Sequence, residues 1–212
     1  MASSSTPELT PEQTIALCRE AHRRLERTVA QITDEIARRP SLLPGWTVGH
    51  VLAHTAQNAD GHTRRLAAAL EGKEVARYPG GQEQRNRDIQ AAAPRPAAEL
   101  KKEITASNRR LEETWQGSIA AGWPHADLLA GDKFRTDESP LRRLREVEVH
   151  HVDLNLGYRP EDWPDLYLAW ELPLALAGLP ERLPSSADAK RLLAWLVGRA
   201  KAPHDIELKP WL

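Results

Sequence analysis

SPLRRLREVEVHHVDL, residues 139–154, is the stretch from which the rest of the chain can be read. Ser139-Pro140 has the form of a helix start, because proline lacks the amide hydrogen that the first turn leaves unused. Beyond it Leu144, Val147, His151 and Leu154 recur at spacings of three and four, which places them on one face of a helix ending near Gly157. A second stripe, Glu146, His150 and Asp153, runs beside the first. Such a helix cannot be stable alone and needs partners to cover its apolar face.

Three more stretches have the same periodicity. Thr10-Pro11-Glu12-Gln13 reads as a capping box, and Leu25, Val29, Ile32 and Ile36 continue one apolar stripe, so the first helix is predicted to run to about Arg38, before Pro40. Thr47 caps a second helix carrying Val48, Val51, Leu52, Ala56, Ala59, Leu66 and Leu70, ended by Gly72. Pro96 opens a third, with Leu100, Ile104, Leu111 and Trp115. Between the second and third lie Tyr78-Pro79-Gly80-Gly81 and a short polar helix from about Gln82 to Ala91, and the Gly-rich segment from Gly117 to Asp137 reads as a loop.

Four amphipathic helices predict a mainly α protein built as an antiparallel four-helix bundle over residues 1–158. Residues 159–212 then form a small C-terminal α(+β) appendage. It is expected to hold a helix opened by Pro164, a proline-punctuated turn from Pro173 to Pro184, a helix from about Ser186 to Arg199, and the extended tail DIELKPWL.

Composition narrows the function. The 212 residues carry 29 Lys and Arg against 30 Asp and Glu, a net charge of -1, which argues against a nucleic-acid partner. MASSSTPELTPEQ has neither a cationic nor an apolar signal region, and no stretch is apolar for long enough to span a membrane, so a cytoplasmic protein without a membrane partner is expected. The one cysteine, Cys18, sits among Ala16, Leu17 and Ala21 and reads as a small buried residue rather than a nucleophile.

Histidine carries the chemistry. Glu146 and His150, four residues apart, share a helix face, and a third ligand from a facing helix would complete a metal site inside the bundle. Two imidazoles and a carboxylate suit zinc with a fourth position open to water or substrate. Periodicity alone leaves open whether His150 or His151 faces inward, and His151 on the apolar stripe equally fits a hydrogen-bonded core residue.

The segments LLPGWTVGHVLAH (42–54), QRNRDI (84–89), RLREVEVHHVDL (143–154), GRAK (198–201) and PWL (210–212) resemble, in this order, the mycothiol-dependent maleylpyruvate isomerase family, a branch of the DinB-like bundles. The resemblance implies zinc bound by His54, Glu146 and His150, with mycothiol, a low-molecular-weight thiol, as cosubstrate. It implies that Arg85 and Arg199 serve catalysis, with Arg85 and Asn86 beside the cosubstrate. Asp153 would orient a ligand, Trp46 would lock the start of its helix, and His50, His62 and His151 fall outside the ligand pattern. The implied reaction is the cis-trans isomerisation of maleylpyruvate to fumarylpyruvate in gentisate breakdown; separately, a monomer or weak homo-oligomer is expected.

The chain departs from that family where several strands should precede the arginine-bearing helix: only LPERLPS stands between Gly178 and Ser186. A shortened unit suits bulkier electrophiles, and the alternatives are a thiol S-transferase and a metal-binding bundle without turnover, the last requiring a fourth protein ligand such as His50 or Asp153.

Overall fold

A computed structural model describes residues 9–123 and 135–209. The first of its two compact units ends at Trp163 and the second begins at Pro164. No strand occurs among the described residues.

The described residues of the first unit hold six α-helices: α1 (Pro11–Ala30), α2 (Asp34–Ala37), α3 (Val48–Leu70), α4 (Gly81–Ala92), α5 (Ala97–Ala120) and α6 (Ser139–Asp153). The four long ones form the bundle, with α1 and α3 on one diagonal and α5 and α6 on the other. Each therefore touches two neighbours across its buried faces. The predicted stripes supply the core: Leu25 and Val29 from α1, Val51, Leu52 and Leu66 from α3, Leu100, Ile104, Leu111 and Trp115 from α5, and Leu144 and Val147 from α6 are all almost fully buried. Each such large side chain contributes about 1.5–3 kcal/mol relative to exposure.

Helix ends follow local chemistry. The Gln13 amide donates to Thr10 Oγ1 at 3.3 Å and the Thr10 amide to Gln13 Oε1 at 2.8 Å, which closes the capping box. The expectation of one helix to Arg38 is corrected: α1 stops at Ala30, and Thr33 starts α2 by accepting the Ile36 amide at 3.2 Å. Asp34, at the head of α2, accepts the Ala97 amide at 2.7 Å. That carboxylate caps α5, whose own cap position, Pro96, has no side-chain acceptor.

At Gly49 an added Cβ would lie 2.3 Å from the Ala93 carbonyl oxygen, so this glycine lets α3 pass the end of α4. The expected loop from Gly117 is corrected at both ends, since α5 continues to Ala120 and Thr136–Glu138 form a single 3-10 turn. The intervening residues 124–134 lie outside the described part, as do the N-terminal eight and the PWL tail.

The second unit contains α7 (Asp165–Arg182) and α8 (Ser186–Leu196). Here the expected turn at Pro173 is corrected: both Pro173 and Pro180 lie inside α7. The flanking Leu and Ala residues are strong helix formers and hold the helix across the missing amides. The tail turns back so that the Lys209 amide meets the Arg182 carbonyl at 2.9 Å.

Candidate metal centre

The second and fourth bundle helices, α3 and α6, bring His54, Glu146 and His150 together inside the bundle. His54 Nε2 lies 3.0 Å from His150 Nε2 and 3.2 Å from Glu146 Oε2, and His150 Nε2 lies 3.6 Å from the same oxygen. A tetrahedral ion with nitrogen and oxygen ligands at about 2.0–2.1 Å spaces those ligands about 3.3–3.4 Å apart. The three spacings bracket that edge length, so the atoms could form one face of such a tetrahedron. Two imidazole N–H groups facing each other at this distance repel, and a shared cation in place of their protons relieves that conflict.

The surroundings orient each member. His150 Nδ1 donates to Asp153 Oδ2 at 2.7 Å, the contact that aims the opposite nitrogen into the triad. Asp153 in turn is tied through its carbonyl to the Leu42 amide at 2.9 Å, which joins the turn before α3 to the end of α6. Arg85 of α4 donates to His54 Nδ1 at 2.8 Å while its guanidinium lies 5.5 Å from the Tyr78 ring centre. Asn86 Oδ1 accepts a second Arg85 hydrogen at 3.0 Å. The Arg85 contact requires His54 Nδ1 to accept, whereas ligation through Nε2 makes Nδ1 a donor, so the guanidinium and a bound ion compete for His54.

Burial and charge divide the protons. Burial lowers His54 to about 4, although Glu146 opposes it, so the ring is neutral near pH 7. His150 is pushed the other way, to about 9: burial disfavours its charge, but Asp153 and Glu146 outweigh it. Burial also works against the Glu146 carboxylate, yet hydrogen bonds from His150 and His54 hold it well below the usual carboxylate range.

His50, His62 and His151 are engaged elsewhere. His50 Nδ1 accepts the Thr47 amide at 3.1 Å and its Nε2 faces Gln90 Oε1 at 3.1 Å. His62 Nδ1 meets Ser139 Oγ at 2.9 Å, and His151 bonds Thr28 Oγ1 at 2.7 Å while stacking on Tyr158 with ring centres 3.9 Å apart. Cys18 is buried and its thiol is pushed far up by burial, which leaves it unreactive. Trp46 sits before α3, and its ring also lies edge-on to His54 at 5.7 Å, a contact that spacing did not reveal. Arg199 belongs to the second unit, just past α8, where it is exposed and donates to the Val197 carbonyl at 3.4 Å.

The family model described as the mycothiol maleylpyruvate isomerase N-terminal domain matches residues 18–155, which include the whole triad. The chain belongs to that family. As a member of the mycothiol maleylpyruvate isomerase family it is an enzyme of this kind, and its helical bundle is of the DinB-like type. A crystal structure of the mycothiol-dependent maleylpyruvate isomerase is 29% identical, with a TM-score of 0.72 over 77% of this chain and 68% of that one. A histidine-to-alanine mutant of the mycothiol-dependent maleylpyruvate isomerase is 27% identical, with a TM-score of 0.71 and the same coverage. No curated protein matches the chain.

Proposed function

We propose that the protein is a zinc- and thiol-dependent cis-trans isomerase acting on maleylpyruvate to give fumarylpyruvate. The observation that carries this reading is the spacing of 3.0, 3.2 and 3.6 Å among the His54, Glu146 and His150 ligand atoms. Zinc bound by these three would make a coordinated thiol a thiolate at neutral pH, a nucleophile able to add to the activated cis double bond and to leave again after rotation.

The chain's own groups set the conditions for that sequence. Asp153 fixes the His150 ring, and Glu146 keeps its charge so that it can ligate. Addition to the alkene develops enolate charge on the substrate, and the Arg85 guanidinium, once off His54, would receive it or a substrate carboxylate. Asn86 steadies Arg85 by accepting one of its hydrogens. His50 and Asp153, the fourth ligands that a bundle without turnover would need, are bonded to Thr47 and Gln90 and to His150 Nδ1. Their engagement supports a fourth position left for the thiol.

The test is to measure zinc content, then supply mycothiol and maleylpyruvate. Fumarylpyruvate should form with the thiol regenerated. His54→Ala and Glu146→Ala should lose both metal and turnover while helicity is kept; wild-type zinc and turnover in either variant would refute the site. A second reading, thiol S-transfer to another electrophile, is favoured by the second unit having helices where the family has strands. Stoichiometric loss of thiol into an adduct would decide for it.

A further inference from the structure

The seam between α3 and α6 is held by polar rungs. At one end His62 Nδ1 meets Ser139 Oγ at 2.9 Å, and at the other His54 meets Glu146 and His150. Between them lies Arg143, whose side chain is wholly buried. Its Nη1 donates to the Thr55 carbonyl at 2.9 Å and to Asn58 Oδ1 at 2.9 Å, both on α3. Nη2 donates to Asn108 Oδ1 of α5 at 2.9 Å, and Nε to His22 Nε2 of α1 at 3.3 Å. His22 Nδ1 lies 2.7 Å from Glu112 Oε1, so the ring passes the guanidinium's charge to a carboxylate at second hand. None of the groups that Arg143 bonds directly is an acid.

A buried guanidinium is costly, and here one side chain ties all four bundle helices. It sits beside the ligands on both helices: the Thr55 carbonyl that it meets follows His54, and Glu146 lies one turn beyond Arg143 itself. Apolar seams can slip by a helical turn of about 5.4 Å at modest cost, whereas directional bonds cannot. Such a slip would put one of Glu146 and His150 in the other's place and carry the second beyond the reach of His54, which breaks the triad.

We propose that Arg143 is a positioning residue for the ligand triad, fixing the register of α6 on α3 so that Glu146 and His150 meet His54. This rests on the triad being a cation site. The measurement is zinc affinity by chelator competition on the full chain, beside helicity and the urea midpoint. Arg143→Met should keep its helicity and bind zinc about 10- to 100-fold more weakly. Arg143→Lys should also lose affinity, because a single ammonium cannot span acceptors on three helices. Leu111→Ala, a core change on α5, should lower the urea midpoint yet leave zinc affinity as in the wild type. Wild-type affinity in folded Arg143→Met, or an equal loss in Leu111→Ala, would overturn the assignment. Should Arg143→Met fail to fold, Arg143→Lys and Asn58→Ala carry the test, with loss in both expected and wild-type affinity in both fatal. A wild-type chain that takes up no zinc would overturn the triad reading and this assignment with it. Zinc bound normally by both wild type and Arg143→Met would overturn this assignment alone.

Discussion

A zinc titration repeated at several acidities asks which triad member holds a proton that the metal must displace. His150 stands at about 9 because Asp153 and Glu146 outweigh the effect of burial, while burial brings His54 to about 4 and hydrogen bonds hold Glu146 well below the usual carboxylate range. Between about pH 5.5 and 7.5 one ligand alone is protonated, so the logarithm of zinc affinity should rise by about one for each pH unit. At neutral pH, about two units below the His150 value, the penalty is about 100-fold, or about 2.7 kcal/mol. The assay is competition against a chromophoric chelator calibrated at each pH. A flat profile would mean that His150 is neutral, and a slope of two that both imidazoles are charged; either refutes the division of protons. Asp153→Asn removes one cause of the raised value, so its slope should flatten toward neutral pH. In chelator-treated protein the sign for folding is the reverse of the usual carboxylate case. His150 is raised above its unfolded value of about 6.5, so its contribution is full below about 6.5 and lost as the pH climbs through about 9.

Gly49→Ala would stabilise an ordinary helix, but here the new methyl meets the Ala93 carbonyl at 2.3 Å, and a loss of about 1–3 kcal/mol is expected as a lower urea midpoint. Asp34→Ala removes the acceptor of the Ala97 amide and should cost about 1 kcal/mol, read in the same way; no change would show that α5 needs no cap. His22 is lowered to about 4 by burial, against the pull of Glu112. Its contribution is therefore full above the unfolded value of about 6.5 and declines as the pH falls toward 4, by about 1.4 kcal/mol per unit. Thermal unfolding between those limits should show a shallower decline in His22→Gln.

Much of the bundle was legible because its signals are local. The Thr10 and Gln13 box, and the stripe from Leu100 to Trp115, need only spacing to be understood. The overrun of the first helix came from giving weight to Ile32 and Ile36 over Thr33, whose hydroxyl offers the backbone an alternative end. A proline at 173 signals a break by itself, but neighbouring helix formers offset one missing bond. Orientation was the deeper difficulty. The helix α6 is covered on two sides: His151 and Glu148 meet Thr28 and Arg24 of α1, while Glu146 and His150 meet His54 of α3. Periodicity finds the apolar side readily but gives no sign that the polar stripe is buried as well. The same blindness hid Arg143, since a lone arginine in a charged helix looks like surface until its acceptors on three other helices are seen.

The bond from the Leu42 amide to the Asp153 carbonyl makes the turn ahead of α3 and the exit of α6 one mechanical piece. Splicing a tag or a grafted loop into residues 40–47 would therefore detune two ligands at once, His54 just downstream and His150 far along the chain. An engineer wishing to retune the centre gently could instead vary that turn one residue at a time, using it as an adjusting screw.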